Sequence, residues 1–167
     1  VVLAAGPVQT IADLKGRKIG YSVGGFEDAL LKAMLERHGL GLADVELVNV
    51  NFSLSPALIA GDVAAVIGAF RNFELNQLDL VGYPGRAFYV EEEGVPPYDE
   101  LILVANTADV GDPRLRAFLD ALERGVQFLI NHPDESWALF VRGRPELDDA
   151  LNRRAWTDTL PRFALRP

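Results

Sequence analysis

Five consecutive residues, Phe70-Arg71-Asn72-Phe73-Glu74, place two aromatic rings, an amide, a guanidinium and a carboxylate directly after an apolar run at 63–69. A carboxylate beside aromatic faces suits a flat ligand that donates N–H groups. The rings stack on it, and the carboxylate accepts a charge-assisted hydrogen bond from an amino group or a protonated ring nitrogen. An aminopyrimidine has that shape. The competing reading is a solvated loop with one ring tucked beneath it. Two other segments invite the same question. Val23-Gly24-Gly25 leaves backbone N–H groups uncovered at a helix start, a favourable place for a polar ligand group, although a plain tight turn also explains the glycines. Asn51-Phe52-Ser53-Leu54-Ser55 offers an amide and two hydroxyls, which serve equally as capping groups. A phosphate or sulfonate pocket would pair the glycine turn with Lys or Arg. Here Glu27 and Asp28 follow it, and Glu74 faces only Arg71. Acids in a first helical turn are ordinary dipole partners, so the ligand argument rests on Glu74.

Catalytic chemistry finds little support, and no catalytic or metal-ligating residue and no cofactor is assigned. His38 ends a helical segment and His132 precedes Pro133, both surface positions. No nucleophile elbow, zinc-protease pair, phosphate loop or dinucleotide fingerprint occurs. Glu91-Glu92-Glu93 reads as a solvated charge run. The absence of cysteine removes disulfides, thiolate metal sites and a thiol nucleophile together.

The elements that must position these loops alternate. Residues 11–14 form a short helical turn and 17–22 a strand. The segment 26–38 is an amphipathic helix with Phe26, Leu30, Ala33, Met34 and Arg37 on one face and Asp28, Lys32 and Glu36 on the other. Gly39 closes it as the residue after the cap. A second strand covers 45–50. Ser55 as N-cap before Pro56 opens a short helix that Gly61 ends. The run 63–69 is a buried strand. The order βαβαβ predicts a parallel sheet, whose ligands lie beyond the strand carboxyl ends, where the three suspect loops fall. Farther on, 87–90 reads as a short strand, 91–97 as a proline-stiffened connection and 101–105 (LILVA) as an apolar strand. Asp112-Pro113 caps a long helix bearing Leu115, Phe118, Leu119, Leu122, Val126 and Leu129, which ends near Asn131. Helices at about 134–142 and 145–159 follow.

The chain has 167 residues, 24 acidic against 16 basic, and a net charge of −8. That length suits one domain or two small lobes. The acidity argues against nucleic acid or an anionic membrane as partner, and no apolar run approaches a membrane span. Residues 1–100 hold 14 acidic and 7 basic groups, while 101–167 hold 10 and 9. The acidity therefore belongs mainly to the segment carrying Glu27, Asp28 and Glu74.

Three segments, IADLKGRKIGYSVGGFEDALLKAML, VELVNVNFSLSPALIAGDVAAVIGAFRNFE and GVPPYDELILVAN, resemble the extracytoplasmic solute-binding proteins of ABC importers. The run Ile-Gly-Ala-Phe-x-Asn-Phe-Glu followed by Tyr-Asp-Glu-Leu resembles the thiamine-precursor branch, the formylaminopyrimidine or hydroxymethylpyrimidine binders. The resemblance implies a type II periplasmic-binding-protein-like α/β lobe over 8–100, with a mainly parallel sheet flanked by helices. Residues 101–167 would be the return strand and C-terminal helices of a first lobe that is incomplete here. It implies a pyrimidine ligand contacted by Glu74 and its aromatic neighbours, with Gly25, Phe26, Asn72 and Phe73 in the crevice and Tyr98 and Glu100 near the hinge. Gly24 and Asn51 complete the expected set. Implied partners are an ABC permease and a missing first-lobe segment or partner chain, in a periplasmic or lipoprotein setting. The helices of 101–167 would then expose apolar surface. Alternatives are another solute (a sulfonate, nitrate or riboflavin-like ring) or a sensory domain reusing the fold. The eukaryotic pyrimidine synthases that resemble this family use a cysteine-rich motif, so a chain without cysteine is expected to bind and not to catalyse.

Overall fold

Lys18–Tyr21 (β2), Glu46–Asn49 (β3) and Ala65–Val66 (β4) form a parallel sheet in the order β3-β2-β4, with Ile19 opposite both Leu47 and Ala65. This computed structural model describes residues 1–99 and 101–163, in two compact units, Val1–Pro97 and Tyr98–Pro167. Glu27–Arg37 (α1) joins β2 to β3, and Leu54–Ala60 (α2) joins β3 to β4. The alternation expected from the sequence is thus the sheet that forms. A two-residue strand, Val2–Leu3 (β1), pairs antiparallel with Gly85–Arg86 (β5), and Glu74–Leu80 (α3) lies between β4 and β5.

The sheet is buried on both faces, which explains its unbroken apolar runs. Successive β4 side chains point to opposite sides. Ala65 and Ile67 join Ile19, Leu31, Met34 and Leu35 in one cluster, while Val66 joins Leu54, Leu58, Val63 and Leu78 in the other. Gly20 makes the second face possible: a Cβ there would lie 3.1 Å from Val66 Cγ1 and 3.2 Å from Val50 Cγ1. Gly20→Ala should therefore cost about 1–3 kcal/mol. Urea denaturation should show a lower midpoint at unchanged slope; an unchanged midpoint would mean that the valines move aside freely.

Several expectations need correction. The buried face of α1 is Glu27, Leu31, Met34 and Leu35, while Phe26, Ala33 and Arg37 are exposed. The helix is turned by about one residue relative to the apolar count, because the Glu27 carboxylate is drawn inward. Gly39 does follow the cap, at φ 72°, with the Leu40 N–H donating to the Leu35 carbonyl at 3.0 Å. Ser53, not Ser55, occupies the cap position of α2; Ser55 lies inside the helix and is buried. Pro56 is tolerated in that first turn because its missing N–H would have had no intrahelical partner. The short strand expected at 87–90 is irregular, and pairing occurs two residues earlier, at β5.

The second unit has no strand among its described residues. Residues 101–105 are not a strand: Leu101 and Val104 are 89% and 84% exposed. An apolar strand needs a ladder partner and a cover, and this unit supplies neither. Its helices are Pro113–Asn131 (α4), Pro133–Arg142 (α5) and Ala150–Thr159 (α6). The Asp112 carboxylate caps α4 by accepting the Arg114 N–H at 2.8 Å. The helix expected over 145–159 is divided, because Asp149 accepts the Asn152 N–H at 2.7 Å and starts α6 anew. Trp137, Phe140 and Trp156 form the unit's aromatic cluster, with Trp137–Trp156 ring centroids 5.5 Å apart.

Candidate functional site

Three turns leave the carboxyl ends of the parallel strands: 22–26 after β2, 50–53 after β3 and 67–73 after β4. Neighbouring strands keep these turns side by side, as the strand order requires. Gly24 and Gly25 are exposed, and Gly25 adopts φ 87°, which an L side chain rarely takes. Phe26 is exposed at the α1 cap position, and Phe73, half-buried, takes the corresponding place on α3. Asn51 and Phe52 both have positive φ, 47° and 64°. For a bulky aromatic that is a strained conformation, held here because the Phe52 N–H donates to Ser22 Oγ at 3.2 Å. The Asn51 N–H donates to Asn49 Oδ1 at 2.9 Å, and the Phe52 ring is 76% exposed.

Glu74 is the first residue of α3. Its Oε2 accepts the Phe70 N–H at 2.6 Å, closing the turn that presents the Phe70 and Phe73 rings. Partial burial raises its carboxyl above the ordinary value of 4.5, against the lowering effect of that N–H. Arg71, the cation of this turn, is already engaged. Its Nη2 donates to both Glu91 oxygens at 2.7 and 2.9 Å, and its guanidinium lies 4.0 Å from the Tyr89 ring centroid. A hydrogen bond from its own backbone N–H, and then the Arg71 guanidinium, hold Glu91 below the ordinary carboxylate range. Glu91 is therefore a structural partner and not only a solvated charge, and so is Glu93, whose Oε2 lies 2.6 Å from His38 Nε2.

A second glutamate belongs with this group. Glu27, the first residue of α1, is buried, and its Oε2 accepts the Ser22 N–H at 2.7 Å. The same carboxylate rests on Gly68: a Cβ there would fall 2.2 Å from Oε1, and Gly68 has φ 84°. Gly25-Phe26-Glu27 and Asn72-Phe73-Glu74 are thus equivalent in place. In each, an aromatic residue sits at the cap and a glutamate reaches back to a backbone N–H near the strand end. From the sequence alone Glu27 is an ordinary dipole partner of α1, and nothing local marks Ser22 or Gly68. The recurring Phe-Glu pair was the available signal.

Of the residues singled out from the sequence, Gly24, Gly25, Phe26, Asn51, Asn72 and Phe73 occur on these three turns of one unit, and Glu74 directly follows the third. Ser55 is buried within α2 and its hydroxyl has no partner. Tyr98 begins the other unit and is exposed, while Glu100 lies outside the described residues. Among the described residues no group of three His, Cys, Asp or Glu side chains is placed to hold a metal ion, and no helix is long and apolar enough to cross a membrane.

Comparison with known proteins gives this arrangement a context. The family described as NMT1/THI5 like matches residues 1–136. A Haemophilus influenzae protein named for thiamine biosynthesis is 58% identical over 168 residues, covering 100% of this chain and 54% of its own length. A formylaminopyrimidine-binding protein of Halalkalibacterium halodurans is 31% identical, over 89% of this chain and 46% of its own. A protein of Legionella pneumophila named as 4-amino-5-hydroxymethyl-2-methylpyrimidine phosphate synthase is 21% identical, over 98% and 52%. Among solved structures, the alkanesulfonate-binding protein of Xanthomonas axonopodis pv. citri, bound to MOPS, superposes with a TM-score of 0.68 at 20% identity, covering 99% of this chain and 54% of that one. The fold is therefore the α/β fold of periplasmic binding proteins. The chain spans about half the length of the curated relatives it matches.

Proposed function

The chain belongs to the NMT1/THI5-like family, and from that premise we propose that it supplies one lobe of an extracytoplasmic solute-binding protein for an aminopyrimidine thiamine precursor. The observation that carries the proposal is the 70–74 turn. A half-buried carboxylate, fixed by the Phe70 N–H, shares a five-residue turn with two phenylalanines, and its neighbouring arginine is engaged by Glu91. Such a turn accepts hydrogen bonds from an amino group on a stacked ring. It disfavours a sulfonate, because Glu27, Asp28 and Glu74 cluster at the strand ends with no uncommitted cation on the three turns. The names of the Haemophilus and Halalkalibacterium relatives support the same ligand class.

In this proposal Gly24, Gly25, Phe26, Asn51, Asn72, Phe73 and Glu74 line one wall of an interlobe crevice, and Tyr98 approaches from the crossing between lobes. Residues 8–100 form the lobe itself, and 101–167 pack on a first lobe supplied by further chain or by a partner. An ABC permease carries out transport, and the protein binds its ligand without converting it. These 167 residues supply no cysteine thiol for chemistry at the three turns.

Calorimetry tests this on a two-lobed chain completed with the remaining sequence of the Haemophilus influenzae relative. Formylaminopyrimidine should bind and taurine should not. Tighter binding of taurine would transfer the site to an anionic solute and end the aminopyrimidine assignment.

A further inference from the structure

We propose that Glu27 is a positioning residue, whose buried carboxylate ties the three turns together and so sets where Glu74 stands. Three contacts converge on it and its partner Ser22. Glu27 Oε2 accepts the Ser22 N–H at 2.7 Å, which fixes the end of β2. Ser22 Oγ accepts the Phe52 N–H at 3.2 Å, which holds the strained turn after β3. The carboxylate face lies on the α-carbon of Gly68, so closely that a Cβ there would meet Cδ at 2.4 Å and Oε2 at 2.8 Å. Gly68 stands two residues before Phe70, whose N–H is bound by Glu74 at 2.6 Å.

Glu27 and Gly68 are therefore a matched pair. The glycine provides both a positive φ and an open α-carbon, and the glutamate fills the space that any other residue would occupy. A buried carboxylate with a short N–H contact is a stiff brace, because leaving it unpaired in a low-dielectric place is costly. Charge at the helix start does not account for this. Asp28, also in the first turn of α1, would serve the dipole without reaching Ser22 or Gly68.

The test is amide hydrogen exchange and Glu74 side-chain titration, both by NMR on the 167-residue chain, in Glu27→Gln, Glu27→Asp and Gly68→Ala. Glu27→Asp keeps the charge but shortens the reach, so it separates bracing from electrostatics. Each variant should speed exchange at Phe52 and Phe70 by at least about tenfold while amides in β2 stay protected. In Glu27→Asp, Glu74 should titrate closer to an ordinary carboxylate, since a loosened turn admits water. If Glu27→Ala is made first, the further damage from adding Gly68→Ala should be smaller than on the native background, because the clash is gone. Unchanged exchange at Phe52 and Phe70 in all three variants would overturn the brace, as would a Glu74 titration that shifts in Glu27→Gln alone. Should a variant lose β2 protection, the order of additivity between positions 27 and 68 decides the matter.

The consequence for binding rests on the aminopyrimidine function proposed above. Glu27→Asp should weaken formylaminopyrimidine binding by about tenfold in the completed chain. Failure of the native protein to bind that ligand would sink the ligand assignment and leave the brace to be judged by the exchange data.

Discussion

Glu74→Gln should weaken formylaminopyrimidine binding by about tenfold to a hundredfold, the range for losing one charge-assisted hydrogen bond in a sheltered site. The glutamine is isosteric and its oxygen still accepts the Phe70 N–H, so the turn keeps its shape. The loss then reports the missing negative charge. It should appear as a faster dissociation rate with little change in association, because a half-buried group acts after docking. Calorimetry and stopped-flow fluorescence on the completed two-lobed chain measure both. A variant that binds as tightly as the native protein would show that the ligand meets the rings and not the carboxylate.

The same carboxyl predicts a pH profile. Burial raises Glu74 above 4.5, so the carboxylate needed by an N–H-donating ligand is lost at a higher pH than for an exposed glutamate. Affinity should fall about tenfold per pH unit below that raised value and level off above it, and Glu74→Gln should flatten the limb. The stability contribution runs the other way. A carboxyl whose folded value is raised favours the native state below the unfolded value, and that contribution disappears as pH rises through the folded value. Binding and stability should therefore respond with opposite signs across the same window, which separates ligand protonation from partial unfolding.

What the sequence made legible was whatever depends on local pattern. The runs 17–22, 45–50 and 63–69, divided by a helical period and by Gly39 and Gly61, lead directly to a parallel sheet with its loops at the carboxyl ends. The long helix after Asp112-Pro113 was legible from its cap and its spacing. Hidden features depend on contacts distant in sequence. β1 and β5 are two residues each and become strands only by pairing with one another, Val2 opposite Arg86 and Leu3 opposite Gly85, so no alternation announces them. Glu27 has the residue type of a surface acid, and only the fold reveals Ser22 and Gly68 beside it. LILVA has the composition of a buried strand, yet a strand requires partners that the described residues of its unit lack.

Exposed apolar surface in the second unit leads to the other large effect. None of the 19 residues of α4 is buried, although Phe118, Leu119 and Leu122 lie on one face at three- and four-residue spacing and are 53%, 48% and 45% exposed. A helix with such a stripe gains most of its stability from a partner surface. If that surface belongs to the first lobe, as proposed for residues 101–167, substitutions should behave oppositely in two contexts. In the 167-residue chain, Leu119→Ala and Leu122→Ala remove surface already in water and improve helix propensity, so unfolding should be unchanged and dye binding should fall. In the completed two-lobed chain the same substitutions open cavities and should cost about 2–5 kcal/mol each. Urea unfolding of both proteins, with dye fluorescence on the shorter one, gives the comparison. Equal effects in the two contexts would mean that α4 meets no first-lobe surface. A context difference would identify α4 as the helix on which the two halves of the protein are joined.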